Sequence, residues 1–370
     1  MKKSLLAIAI AAAVPAVASA QVVISGIIKG GVSSTSYSNG ASNNGSSLGV
    51  NDGSSRFILS ATEKVGDLEA FFQVDTRFRV DDNGGGAGTP APTSGVASQL
   101  ATGNTFVGVR GAMGGIQIGK MDTHYCAGTD QHGSRATALT HSSCGFVGYV
   151  NGNSGIAAIA NASRSTNVIR YTSPSVSGFQ AQLNYSTAWQ GGSEVIGDPG
   201  KGSATHAQLV YSQGPIVAGV SNWDAKNEAK TDGQRGLTVW GSYQVGPLNV
   251  GLTWDQSSRG IGTAKFERVV TSIPVRYALG PGTLMATWSR ADDGEGSTGA
   301  KLADTGATLF SIGYAYDLSK RTSIGISYGQ LNNDKSALYG FYTQAALAGM
   351  GAPVAGQDQK QTYVGLRHAF

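Results

Sequence analysis

The feature that most constrains this chain is an alternation between two kinds of connection. From Gln21 onward the sequence falls into short runs in which apolar and polar residues alternate, the period-two pattern of a strand whose two faces meet different surroundings. These runs read as strands over 22–33, 54–64, 68–80, 103–112, 115–121, 166–173, 178–187, 204–213, 215–223, 235–245, 247–256, 266–278, 282–291, 305–318, 321–331 and 360–370, sixteen in all. Seven connections are tight turns, at Gly66-Asp67, Met113-Gly114, 174–177, Gly214, Gly246, Gly280-Pro281 and Ser319-Lys320, and eight are longer. Short and long alternate strictly, so one edge of the sheet carries only tight turns and the other carries every long loop. Both chain ends fall on the tight-turn side.

An up-and-down sheet of this size would expose two long edges if it stayed open, and closing it into a barrel removes both. What faces outward then separates a barrel in water from one in lipid. In the last run Thr362, Val364, Leu366 and Phe370 share one face, and Tyr363, Gly365 and Arg367 share the other. A thin wall between lipid and a wet lumen requires that division. Trp189, Trp223, Trp254 and Trp288 lie toward the loop ends of their strands, and Tyr171, Tyr211, Tyr243 and Tyr277 toward the turn ends. Two aromatic levels are the pattern of interfacial girdles. A soluble core packed with aromatics is the competing reading, but sixteen strands with polar inner faces would leave its centre unfilled.

Composition agrees. Glycine accounts for 54 of 370 residues and charged residues for 14%. No run after the first twenty residues approaches the ~18 apolar residues of a membrane helix, and glycine at this level disfavours helices generally. Residues 1–20 read as a cleaved export signal, with Lys2 and Lys3, an apolar stretch over 5–14 and Ala18-Ser19-Ala20 before the cut. Residues 21–370 then form one barrel domain. Basic and acidic residues are nearly balanced once the signal is removed, so composition carries no nucleic-acid signal.

With these elements in place the chain resembles the Gram-negative porins of β-proteobacterial type. The resemblance rests on VVISGIIKGGV near the start, SSRFILSATEKVGDLEAFFQVD from Ser54, TFVGVRGAMGGIQIGK from Thr105, STNVIRYTSPSVSGFQAQLNY from Ser165 and the ending TYVGLRHAF. It implies an outer-membrane barrel, a homotrimer, and a third long loop folded inward to narrow the pore. Phe370, with His368, Leu366 and Val364 at alternate positions, resembles the signal by which the barrel-assembly machinery recognises its clients.

The resemblance also directs attention to charges on the lumen face. Alternation points Lys29, Arg56, Arg77, Arg79 and Arg170 inward, against Asp75. The parity of Arg110 and Lys120 stays open. In the family a basic ladder on the wall faces acids or backbone on the inward loop, and Lys29 stands where relatives commonly carry an acid. Asp122, Asp130 and Arg135 are the candidates for the loop side. A ring of basic residues lowers the barrier to anions, so an anion-preferring diffusion pore is expected. The competing reading is that the arginines only pair locally, with Asp75 and Glu63.

The non-periodic segment 122–165 is the third long connection. It holds both cysteines, Cys126 and Cys144, and three of the five histidines, His124, His132 and His141. Passage through an oxidising periplasm points to a Cys126–Cys144 disulfide, a departure from most relatives. The alternative is a metal site, but the spacing fits no zinc pattern and a disulfide would consume both thiolates. No cofactor is implied. Gly45-Ser46-Ser47-Leu48-Gly49 fits a nucleophile-elbow pattern without its strand and helix, and 294–299 fits a dinucleotide-binding pattern that this glycine content produces by chance. An enzyme is therefore not expected. A different class, a surface adhesion protein merely anchored by a barrel, is compatible with loops as long as 332–359. Pro274 must either lose a ladder bond or mark a bulge.

Overall fold

The structure, a computed structural model, describes residues 21–40, 44–81, 100–124, 126–128, 132–150, 159–160, 163–189, 194, 201–260, 265–341 and 354–370. The expected export signal, Asp130 and most of the loop after Asp81 lie outside them.

Sixteen antiparallel strands close into a barrel. They are β1 (Gln21–Ser38), β2 in two runs (Gly45–Asp52 and Arg56–Val65), β3 (Leu68–Arg77), β4 (Thr105–Gly111), β5 (Gly114–Thr123), β6 (Ser163–Thr172), β7 (Phe179–Ser186) and β8 (Gly202–Gln213). The second half comprises β9 (Ile216–Asn227), β10 (Gly233–Val245), β11 (Leu248–Arg259), β12 (Phe266–Leu279), β13 (Gly282–Ala291), β14 (Ala307–Asp317), β15 (Thr322–Asn333) and β16 (Asp358–Ala369). Each strand pairs with its neighbours in sequence. β1 completes the circuit, pairing with β2 on one side and with β16 on the other. No helix among the described residues is long and apolar enough to cross a membrane; the strands do so.

The tight turns follow from backbone chemistry. Gly246 and Gly280 sit at φ 54° and 58°, a conformation that a residue with a Cβ adopts at a steric cost. The seam is equally specific. The amide of Gly26 donates to the Phe370 carbonyl at 3.2 Å and the Phe370 amide returns the bond at 3.2 Å. A Cβ on Gly26 would lie 2.5 Å from both the Arg56 carbonyl oxygen and the Phe370 ring, so only glycine lets the last residue close here.

The two faces divide as the alternation requires. Val364, Leu366 and Phe370 are exposed on the outer face, whereas Gln359, Gln361 and Tyr363 are buried inside. Small hydroxyl residues such as Ser221, Ser272, Ser289 and Ser311 fill the inner wall. The aromatic reading needs one correction. Trp288, Tyr171, Tyr243 and Tyr277 are exposed on the outer face, but Trp223 and Trp189 are buried and pack edge to face at 5.8 Å between ring centres. Trp223 alternates with Ser221 and Ala225 on the inner face, and that parity, not height along the strand, decides its environment.

Two boundaries also differ from expectation. The Ser- and Asn-rich stretch 34–53 is mostly a continued hairpin, with Gly30 opposite Asp52 and Tyr37 opposite Gly45, because cross-strand backbone bonds form whatever the side chains are. Strand β6 begins earlier than its alternation suggests, since the ladder to β5 slips between Gly119 and Met121. Pro274 makes no bulge: the register between β11 and β12 is the same on both sides of it, and only the pairing around it is interrupted. It has lost a ladder bond.

Candidate pore constriction

The described residues of the third long loop (124, 126–128, 132–150 and 159–160) lie inside the barrel and are docked at three places. Its start lies on β9 to β11, where His124 bonds Ser221 at 2.7 Å and the Thr253 hydroxyl donates to the Gly128 carbonyl at 2.5 Å. Its middle lies on β15 and β16. There the Ala138 amide donates to Ser327 at 3.0 Å, His141 bonds Ser327 at 2.9 Å and Thr140 donates to Gln361 at 2.6 Å. A short helix, α1 (Ser143–Gly148), then rests on β12 and β13. Phe146 and Val147 enter the main apolar cluster with Phe266, Val270, Leu309, Leu331 and Tyr339. Buried Arg268 donates to the Phe146 carbonyl at 2.8 Å and to that of Val147, and lies 5.4 Å from the Tyr339 ring centre. This satisfies carbonyls that end α1 without intrahelical partners.

Cys126 and Cys144 form a disulfide, with Cα atoms 4.8 Å apart. It joins the first docked segment to α1. No group of three or more His, Cys, Asp or Glu among the described residues is arranged to hold a metal ion. His141 is fully buried, and desolvation holds its imidazole well below its ordinary pKa, so it serves as packing and a hydrogen-bonding group.

The basic wall is organised by register. Arg56 on β2 stands directly opposite Arg77 on β3, and Lys29 on β1 directly opposite Arg367 on β16. Like charges placed directly across a ladder are destabilising. Arg56 and Arg77 both reach the Ser54 hydroxyl, at 3.5 and 3.3 Å, and Arg77 lies 3.6 Å from the Asp75 carboxylate. Neither Nε has a protein acceptor. Arg79 instead takes Asp81 in a two-pronged pair at 2.9 Å.

Several expected positions fall elsewhere. Lys29 points inward but is 1% exposed, covered where β2 breaks at Gly53, Ser54 and Ser55; the break is held by the Asp52 carboxylate accepting the Ser54 amide at 2.7 Å. Asp122 belongs to β5 and so to the wall rather than the loop. It pairs with Arg164 at 2.9 Å and accepts from the Asn104 amide at 2.9 Å. Arg135 does belong to the loop and reaches Asp317 at the turn end of β14, at 3.3 Å. Arg170 is fixed by Asn184 at 2.7 Å and by the Asp122 carbonyl. Lys120 feels Arg164, Arg77 and Asp75, which places it in the same lumen cluster. Arg110 pairs with Glu69 and stacks on Phe71 near a tight turn, away from this cluster.

Sequence reasoning missed Arg164, because it lay in the segment read as loop, and Arg367, whose inward parity was legible without its position opposite Lys29. Simple alternation along β12 would have found Arg268. Along this arc nine basic side chains (Lys29, Arg56, Arg77, Arg79, Lys120, Arg135, Arg164, Arg170 and Arg367) meet five carboxylates (Asp52, Asp75, Asp81, Asp122 and Asp317) among the described residues.

A closed barrel with an apolar outer face, a polar lumen and a loop laid across that lumen is a transmembrane diffusion channel. The chain belongs to the Gram-negative porin family, whose model matches residues 6–336, and it forms an outer-membrane channel for passive diffusion of small hydrophilic solutes. Among its relatives, outer membrane porin protein 32 of Delftia acidovorans is 27% identical over 388 aligned positions, covering 100% of both chains. An outer membrane porin protein of Bordetella pertussis is 25% identical, covering 87% of this chain and 83% of its own. The fold is similar to that of the anion-selective porin from Comamonas acidovorans, with TM-score 0.73 and 21% identity over 95% of this chain and 100% of that one. It is also similar to the channel DcaP of Acinetobacter baumannii, with TM-score 0.62 and 13% identity over 96% and 99%.

Proposed function

We propose that this channel prefers anions, and that the selecting element is the arc of basic residues around Arg56 and Arg77. One observation carries the reading: Arg56 and Arg77, like charges directly opposed across the β2–β3 ladder, both lie on the lumen face. A wall optimised for stability would oppose unlike charges, so the pairing is retained for the field it makes, which is concentrated where the pore is narrowest. The loop adds to that field. Among its described residues the one charged side chain is Arg135. The porin from Comamonas acidovorans, similar in fold, is anion-selective, which is consistent with this reading.

The decisive measurement is the reversal potential of the purified channel in a potassium chloride gradient across a planar bilayer. A potential of the sign for chloride permeation supports the proposal, and one of the sign for potassium overturns it. Three further assignments belong to the same reading. Residues 1–20 are an export signal. The working unit is a homotrimer, as in the trimer form of the similar OmpT of Vibrio cholerae. Phe370, on the outer face at the barrel seam, is the assembly signal.

A further inference from the structure

The inner wall also carries a hydrogen-bond chain that starts at Arg170 and runs away from the arc around Arg56 and Arg77. Arg170 Nε donates to Asn184 Oδ1 at 2.7 Å, and Asn184 Nδ2 meets His206 Nδ1. His206 Nε2 meets the Ser221 hydroxyl at 2.8 Å, and that hydroxyl meets His124 Nδ1 at 2.7 Å. His124 Nε2 then meets the Thr238 hydroxyl at 3.2 Å, and Thr238 donates to Asp255 Oδ2 at 2.7 Å. Register builds most of this. Arg170, Asn184 and His206 are directly opposed on β6, β7 and β8, and Ser221, Thr238 and Asp255 directly opposed on β9, β10 and β11.

The two ends determine the direction of every bond. A guanidinium only donates and an ionised carboxylate only accepts. Asn184 spends its oxygen on Arg170, so its amide donates to His206 Nδ1. The proton of His206 is then on Nε2 and goes to Ser221, which donates to His124 Nδ1. His124 therefore carries its proton on Nε2 and donates it to Thr238. All links run one way, and each histidine is neutral in a single tautomer. Burial favours the neutral form of His124, whose pKa is lowered to about 4.

His124 is the one member that comes from the third long loop; the other six are on strands. It is 5% exposed and its backbone lies at φ 49°, in the left-handed region. For a non-glycine residue that conformation persists only where surrounding contacts enforce it, and it turns the chain from β5 into the lumen.

We infer that His124 is a positioning residue for the constriction: it inserts the loop into a one-way hydrogen-bond chain across six strands, and so sets where the loop stands in the pore and how Arg170 is oriented. A glutamine can reproduce both of its bonds, accepting from Ser221 through Oε1 and donating to Thr238 through Nε2. A leucine can make neither.

The test is single-channel recording of His124→Gln and His124→Leu with reversal potentials, on protein whose barrel integrity is checked by resistance to unfolding in detergent. Losing buried partners raises the undocked-to-docked ratio of the loop roughly tenfold to a hundredfold. His124→Leu is thus expected to show frequent conductance steps and a shifted reversal potential, while His124→Gln records as the unmodified protein. Thr238→Val removes the acceptor without altering the loop and is expected to reproduce the leucine phenotype; it also decides the matter should His124→Leu fail to assemble. Two results overturn the inference: leucine and valine variants with unaltered conductance and selectivity, or a glutamine variant as disturbed as the leucine one.

Discussion

Replacing Arg77 with glutamine should leave the barrel about as stable while weakening its selectivity. The substitution removes one of two guanidinium groups held directly across the β2–β3 ladder. Relief of such a like-charge pair is worth about 0.2–1 kcal/mol. The gain is offset by loss of the 3.6 Å contact with the buried Asp75 carboxylate, whose own charge is then less balanced, so no net stabilisation is expected. The cost appears in permeation. An anion ~5 Å from one guanidinium gains about 0.8 kcal/mol even at the dielectric constant of water, about fourfold in occupancy. The Arg77 side chain is only 10% exposed, so the effective dielectric is lower and fourfold is a floor. The assay pairs two readings on one preparation: the temperature at which the barrel unfolds in detergent, and the chloride-to-potassium permeability ratio from reversal potentials. The expected result is a nearly unchanged unfolding temperature with a permeability ratio lowered at least severalfold. A marked fall in unfolding temperature with unchanged selectivity would refute the reasoning, because it would make Arg77 a structural ion-pair partner of Asp75.

Other perturbations address the loop and the seam. Reducing the Cys126–Cys144 disulfide, separated by 18 positions, releases a closed segment worth about 3 kcal/mol in the chain-entropy treatment. Proteolytic nicking of 127–143 is then expected to accelerate up to about a hundredfold, with little change in barrel unfolding; equal nicking rates before and after reduction would count against the clamp. Acidification should undock the start of the loop, because burial lowers the His124 pKa from 6.5 to about 4. The undocked histidine takes up a proton first, so the contribution is complete above pH 6.5, is lost as pH falls toward 4, and is worth about 3 kcal/mol in all. Conductance steps that increase over that window and are absent from it in His124→Gln are the expected signature. Gly26→Val places a side chain against the Arg56 carbonyl and the Phe370 ring, and is expected to lower the yield of heat-resistant barrel severalfold, measured by gel mobility after refolding; wild-type yield would show that the seam tolerates a Cβ.

Much of the architecture could be read from the chain because its causes are local. Period-two alternation determines which face of each strand meets lipid, as at Val364 and Leu366, and glycine at Gly246 and Gly280 determines where the chain reverses. The count of strands, their closure and the side bearing the long loops follow from these. The inward direction of Lys29, Arg56, Arg77 and Arg170 also follows from parity. Depth does not. Lys29 is inward and covered, Trp223 is inward where a girdle residue was expected, and Asp122 stands on the wall, because burial depends on what packs over a position from elsewhere in the chain. Register between strands and the slip at Gly119 arise from pairing across the ladder, and the path of the third loop from contacts more than a hundred residues apart, such as Thr140 with Gln361 and Arg268 with Phe146. Only the tertiary structure could therefore oppose Arg56 to Arg77, and only it could draw His124 into a chain running from Arg170 to Asp255.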